Sequence, residues 1–359
     1  MEIGILGRAS SGKTSLFNLL TGNREMTGPA GRRGTSHMGI ARVPDDRLER
    51  LSALFQPKKT TPATVRYVDV PPLPDDHGHE SAMNLSELRT MDALMVVLRA
   101  FANREVPHPA GTVDPLRDLV HVEEEFLLSD QMVVERRLER LEKDLKKRRL
   151  PELLAEQEIL KRCLGILEEG RPLRSADLDD ASLKLLRGFT FLSLKPILVV
   201  LNLDESDVGS DPFADPRWQD LLDHPQMGFT SVCATLEGEL AEMEPADAEE
   251  LMAEMGINDR ALDRVIRESY RLLGLISFFT VGEDECRAWS IRKGTPAVEA
   301  AGVIHSDIQR GFIRAETVPW EELLEAGTMA ACRQRGTLRL EGKTYPVQDG
   351  DVVHFRFSV

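Results

Sequence analysis

The 359-residue chain carries 60 Asp and Glu against 45 Lys and Arg, a formal charge of −15 at pH 7. That balance excludes nonspecific nucleic-acid binding by the whole surface and leaves room only for a local basic patch. Hydrophobic residues at 42% and charged residues at 29% describe a soluble globular protein long enough for two or three domains. No apolar run is long enough to span a membrane. The first strand begins too close to Met1 to leave space for a signal peptide. Cys163, Cys233, Cys286 and Cys332 are scattered, with no C-x-x-C spacing. They point away from zinc and disulfide frameworks and toward a reducing cytoplasm.

Residues 3–6 form a short apolar strand. It runs into Gly7-Arg8-Ala9-Ser10-Ser11-Gly12-Lys13-Thr14, which fits G-x-x-x-x-G-K-[ST]. A helix is predicted next, with Leu16, Phe17, Leu19 and Leu20 apolar. The pattern has a physical logic. Successive backbone N–H groups line an anion nest, and glycine permits the turn and the close approach. The helix then points its positive dipole end at the phosphates. Gly7, Ser10, Ser11, Gly12, Lys13, Thr14 and Ser15 are the candidate triphosphate cradle. Lys13 would reach the β- and γ-phosphates and Thr14 would ligate Mg2+.

Residues 27–40 are rich in Gly, Ser and Arg and read as a loop. Thr35 is there either a second magnesium ligand or an ordinary loop threonine. Residues 43–55 predict a turn and a helix. Residues 64–70 alternate as a strand ending on Asp69, the Walker B arrangement, which makes Asp69 a candidate magnesium and catalytic residue beside Lys13. In switch nucleotidases the pattern continues D-x-x-G, and the glycine N–H senses the γ-phosphate. Pro72 occupies that place here and has no N–H.

Residues 91–98 and 191–201 contain continuous apolar runs, as expected of buried parallel strands. Between them, Val120, Leu127, Val134 and Leu141 recur every seven residues, with Leu138 and Leu145 as companions. After Pro151 come Leu153, Leu160, Leu164 and Leu167. Two long helices joined near residues 148–151 are predicted, an antiparallel coiled-coil hairpin inserted into the α/β domain. Its tip carries Lys143, Lys146, Lys147, Arg148 and Arg149. The cluster is either a phosphate-contacting surface or a set of solvated cations at a helix C-terminus.

Strand 197–201 ends on Asn202-Leu203-Asp204-Glu205, the place of the base-recognition motif N-K-x-D. Leu203 replaces the lysine and Glu205 the aspartate, so guanine preference is not secured. Residues 231–240 are a strand end leading into a helix, and the backbone around Ala234 and Thr235 would touch the base. Residues 246–275 read as mainly helical. From residue 276 the texture changes to short strands with one helical stretch at 296–308, a small α+β domain. The expected division is a nucleotide domain (1–115 and 191–275), an inserted helical domain (116–190) and a C-terminal domain (276–359).

These segments resemble the YchF subfamily of Obg-related nucleotidases across nearly the whole length. The carrying stretches are GRASSGKTSLFNLLTG, VPDDRLERL, MDALMVVLRAF, NLDES, ATLEGEL and LLGLISFFTVGEDECRAWSIRKGTPAVEAAGVIHSDIQRGFIRAE. The ending LRLEGKTYPVQDGDVVHFRFSV is similar to that family's TGS domain. The resemblance implies a Ras-like P-loop domain interrupted by a coiled-coil hairpin, then a β-grasp TGS domain. It implies an N-x-x-E base motif, here Asn202 and Glu205, and hydrolysis of ATP in preference to GTP. It also implies a hydrophobic residue, here Leu73, in place of a water-orienting glutamine. Ribosome association is implied as well, with Lys146, Lys147, Arg148, Arg149 and the TGS domain as RNA-facing surfaces. The departures are the loss of the D-x-x-G glycine at Pro72 and a switch I in which Arg33, not Thr35, aligns with the family's threonine. Two functions are therefore expected to compete: a slow nucleoside triphosphatase, and a nucleotide-binding regulatory protein with little hydrolysis.

Overall fold

The computed structural model describes residues 1–23, 36–71, 85–103, 106–224 and 226–358. The chain divides into two units. One contains Met1–Gly39 and Arg66–Glu268, the other Ile40–Val65 and Ser269–Val359. The second unit thus includes an early segment that sequence reading grouped with the nucleotide domain.

The first half of the chain holds β1 (Glu2–Leu6), β2 (His37–Arg42), β3 (Lys59–Thr61), β4 (Thr64–Asp69) and β5 (Ala93–Ala100). β6 (Ile197–Leu203) and β7 (Met227–Val232) follow. One six-stranded sheet has the order β2-β4-β1-β5-β6-β7. β4, β1, β5, β6 and β7 are parallel neighbours. The register sets Ile5 beside Asp69 and Arg99 beside Asn202. β1 has β4 on one side and β5 on the other, so the sheet grows in both directions from it. A crevice forms at the carboxyl ends of strands where the order reverses in this way. The near-continuous burial of β5 and β6 follows from helices covering both faces.

Helix α1 (Lys13–Thr21) buries Leu16, Phe17 and Leu20, a contribution of about 1.5–3 kcal/mol for each large side chain. It stops at Gly22, whose left-handed backbone (φ 69°) lets its N–H return to the Asn18 carbonyl. Helix α2 (Asp46–Phe55) belongs to the second unit, where Asp45 caps its first turn.

Helix α3 (Pro115–Lys147) has Asp114 as its cap and proline at its first position. Helix α4 (Pro151–Glu168) returns antiparallel after a three-residue connection, as expected. The predicted seam holds only in part. Val134 and Leu141 are fully buried against Ile159, Leu160, Cys163 and Leu167. Val120, counted in the same heptad, is instead 48% exposed. The reason is that α3 serves two partners. Its first turns pack Leu119, Val122 and Phe126 against sheet residues such as Val96, Leu98 and Leu201. The helix meets α4 only farther along, so the heptad phase does not extend back to residue 120. A cross-helix pair ties the hairpin, with Arg137 Nε and Nη2 on Glu156 at 2.7 and 2.8 Å.

Helices α5 (Ala234–Glu242), α6 (Pro245–Glu254) and α7 (Ala261–Leu272) follow β7. The second unit then adds β8 (Leu275–Thr280), β9 (Glu285–Arg292), β10 (Phe312–Pro319), β11 (Arg339–Glu341) and β12 (Asp351–Phe357). Its mixed sheet runs β11-β10-β12-β8-β9-β3. The single helical stretch predicted at 296–308 is two helices, α8 (Ala297–Ile304) and α9 (Ser306–Arg310). His305 divides them in an extended conformation, and its ring nitrogen caps the Asp307 N–H at 3.1 Å. Two more helices, α10 (Trp320–Ala326) and α11 (Met329–Arg335), lie in a stretch read as short strands. No described helix is long and apolar enough to cross a membrane. All four cysteines are free and buried.

Candidate functional site

The loop between β1 and α1 is shaped by its glycines. Gly12 has φ 88°, and a Cβ there would lie 2.1 Å from Nδ2 of Asn202. A Cβ on Gly7 would meet the Val97 carbonyl oxygen at 2.5 Å and Ser11 Oγ at 2.7 Å. Ser10 also takes a left-handed backbone, φ 62°. Gly12 precedes the first helical residue and offers no capping side chain. The first-turn N–H groups of Lys13, Thr14 and Ser15 therefore have no intrahelical acceptor, which is the condition for binding an anion. Ser11 Oγ is buried without a hydrogen-bond partner among the described residues.

Asp69, at the tip of β4, is buried and gathers the loop's two reactive side chains. Its Oδ1 accepts from Lys13 Nζ, and its Oδ2 accepts from the Thr14 hydroxyl at 2.9 Å. An ion pair this enclosed is held by geometry, because each charge loses its water. A hydroxyl and a carboxylate side by side are hard oxygen donors of the kind magnesium takes. The donor set thus fits a magnesium ion. The steric limit at Gly7 and Gly12 fits a phosphate chain held by backbone.

Asn202, at the end of β6, is buried and turned inward. Its Nδ2 donates to the Ser11 carbonyl at 3.0 Å, and its Oδ1 accepts from the Ala234 N–H at 3.1 Å. It therefore braces the phosphate loop against the start of α5. Leu203 departs from the expected base-side position, because its side chain joins the sheet core. Glu205 and Thr235 are exposed, and Ala234 is half-buried. Asp204 is occupied locally, capping the Ser206 N–H at 3.3 Å. Arg33, Thr35, Pro72 and Leu73 lie outside the described residues.

Beneath the loop is a charged group that motif reading did not single out. Asp118, on the first turns of α3, accepts from His108 Nε2 at 2.9 Å and from Arg117 at 3.0 Å. Arg8, the first variable residue of the loop, faces it at 3.9 Å. The His108 Nδ1 accepts the Ala110 N–H at 3.1 Å, which leaves the ring proton on Nε2. Arg99 is buried nearby and donates to the carbonyls of Phe101 and Val106 at 3.1 and 2.9 Å. Burial lowers its guanidinium pKa from the ordinary arginine value. Only Arg8 carried a sequence signal, through the motif; isolated His and Asp residues carry none. A separate open cleft of about 350 Å³ beside β7, lined by Phe213, Phe229, Arg264 and Arg267, shares no residue with the loop.

The family described as YchF-GTPase_C, protein of unknown function (DUF933), matches residues 275–358. A Bacillus subtilis protein named ribosome-binding ATPase YchF is 39% identical, covering 100% of both chains. A rice protein named Obg-like ATPase 1 is 35% identical over 100% of this chain and 92% of its own length. The solved structure of the Schizosaccharomyces pombe YchF GTPase superposes with a TM-score of 0.86 at 30% identity, covering 99% of this chain and 97% of that one. Full-length relatives at this identity, a matching fold and an intact phosphate loop lead to one assignment: the chain belongs to the YchF family of Obg-type P-loop nucleotide-binding proteins.

Proposed function

We propose that the protein is a slow, magnesium-dependent nucleoside triphosphatase that prefers ATP to GTP and acts on ribosomes in the cytoplasm. One observation carries this reading: Lys13, Thr14 and Asp69 converge at the carboxyl edge of the sheet, beside first-turn N–H groups with no capping side chain. Each residue then has a task. The Lys13 ammonium offsets charge on the β- and γ-phosphate oxygens. The N–H groups of Lys13, Thr14 and Ser15 hold the phosphate chain. Thr14 and Asp69 would hold magnesium, which when bound neutralises charge developing on those oxygens. Asn202 keeps the loop in its anion-binding shape, which is positioning in advance of reaction. Glu205, exposed beyond β6, together with the backbone at Ala234 and Thr235, is the side available to the base.

The names of the Bacillus subtilis and rice relatives agree with ATP and, for the former, with a ribosomal partner. Ribosome contact through Lys146, Lys147, Arg148 and Arg149 is supported by their exposure at the tip of the hairpin. The C-terminal unit is the second surface proposed to face RNA.

A single-turnover assay with ATP and GTP, with and without purified ribosomes, tests the proposal. Turnover that is faster with ATP and abolished by Lys13→Ala is expected. Unchanged turnover in Lys13→Ala rejects hydrolysis at this loop, and GTP bound tenfold tighter than ATP rejects the base preference. Replacing the four tip cations by Glu should weaken ribosome co-sedimentation and flatten its salt dependence.

A further inference from the structure

Strand β7 (Met227–Val232) stands at the end of its sheet, so one of its sides has no neighbouring strand. Its pairing with β6 shows which residues face that open side. The two strands are parallel in continuous register, and the Ile197 N–H bonds the Gln226 carbonyl at 3.0 Å. In a parallel ladder the N–H and C=O of one residue point to the same side, and successive residues alternate. Gly228, Thr230 and Val232 therefore bond β6, while Phe229 and Ser231 face outward. Ser231 agrees, because its carbonyl accepts from Arg264 Nη2 at 3.4 Å. The Phe229 N–H and C=O and the Ser231 N–H have no partner among the described residues. Edge strands are commonly guarded by a charge, a proline or a bulge, and the stretch MGFTSV supplies none of these.

The cleft of about 350 Å³ lies along this edge. Phe213 and Phe229, edge to face at 5.6 Å, make its apolar part. Arg264 and Arg267 of α7 make its cationic part, with Asp259 and Glu268 in the same wall. The Asp259 carboxylate is engaged by Arg267. Arg264 donates only to carbonyls, those of Asp259 at 2.9 Å and Ser231 at 3.4 Å, and among the described residues no carboxylate pairs with it.

We propose that this edge docks an extended peptide segment of a protein partner, which adds to the sheet as a strand beside β7. The Phe229 and Ser231 backbone groups bond the segment. An apolar side chain of the segment packs on Phe213 and Phe229, and a carboxylate answers the Arg264 charge. Phe229 and Ser231 are two residues apart, so the apolar and acidic positions of the segment are spaced likewise, about 6.6 Å along the strand. The carboxylates of Asp259 and Glu268 disfavour a nucleic-acid backbone in this cleft. The cleft shares no residue with the phosphate loop, so the proposal stands apart from the nucleotide reading.

The test is fluorescence anisotropy of the full chain with a labelled, end-capped octapeptide. The peptide has phenylalanine and glutamate two residues apart in a threonine–valine background. Glutamine in place of that glutamate should weaken binding about tenfold, the worth of a hydrogen bond to a charged group. The same exchange should change little in Arg264→Met, and Arg264→Lys should recover part of the difference. Methylating the peptide nitrogen opposite the Phe229 carbonyl should also weaken binding, and hydrogen exchange should show the Phe229 and Ser231 amides protected by the unmethylated peptide. If Arg264→Met does not fold, the glutamate, glutamine and N-methyl peptides decide the matter on the unsubstituted protein. Equal binding of those three peptides overturns the proposal, as does no binding of the glutamate peptide. Protection of the two amides by a single-stranded RNA oligonucleotide, or by self-association seen in sedimentation, with no response to the peptide, replaces the peptide with another occupant and also overturns it.

Discussion

Gly12 and Asn202 exclude each other's variation: a Cβ at position 12 would lie 2.1 Å from the Asn202 amide nitrogen that holds the Ser11 carbonyl. Gly12→Ala meets two obstacles at once. The backbone at φ 88° costs an L-residue about 1–2 kcal/mol, and the new methyl displaces the brace. The variant should lose at least tenfold in nucleotide affinity, measured by titration calorimetry, and unfold at lower urea concentration. Unchanged affinity would show that the loop's shape does not depend on this contact.

Asn202→Ala separates bracing from base contact. It leaves the Ser11 carbonyl and the Ala234 N–H, 32 residues away in sequence, without their partner. Loss of these two hydrogen bonds, one buried and one part-buried, should cost about 2–4 kcal/mol in urea denaturation. ATP and GTP affinity should fall by the same factor if the role is bracing. A loss confined to one base would instead make Asn202 a base reader.

Asp130→Ala should be among the more destabilising single changes in the first unit. It removes the acceptor of four hydrogen bonds and leaves the Arg89 cation without its buried anion. A cost of about 3–5 kcal/mol is expected from chemical denaturation. Asp130→Asn, which retains one carbonyl acceptor, should cost less.

The second unit should soften in alkali for a traceable reason. Burial, together with the Asp351 carboxylate that its hydroxyl meets at 2.7 Å, pushes the Tyr345 pKa up to about 12. A raised value means that the folded state holds the proton more tightly than the unfolded chain. The resulting stability is complete below the ordinary tyrosine value near 10 and declines as pH rises from there to about 12. Tyr345→Phe should remove this part of the pH dependence, read as the denaturation midpoint between pH 9 and about 12. An unaltered pH profile would remove Tyr345 from the account.

The phosphate loop was legible because strand, loop and helix are contiguous, so a local motif contains the whole device. Asp69 and Asn202 were legible as strand tips, since an apolar run marks where a buried strand ends. The inward use of Asn202 was not, because Ser11 lies 191 residues away and no local pattern records the contact. Leu203 looked like a lysine substitute at the base, yet strand alternation turns it into the core beside Leu201. Val120 shared the heptad count with Val134 but lies on the part of α3 that packs against the sheet, where a different face is buried. The group around Asp118 was invisible because its members gather from separate loops and helices.

β3 joins β9 by parallel pairing, and Thr61 reaches Glu285 across 224 residues of chain. That pairing has a consequence for the order of events during synthesis. Residues 59–61 emerge early, yet their sheet partners are made only after the entire hairpin and the last strands of the other sheet. Loop closure over such a span is slow, so the second unit should complete itself late and as a whole. A nascent chain halted before β9 would carry a folded phosphate-loop unit beside an unpaired strand edge, a short-lived liability that synthesis of β9 brings to an end.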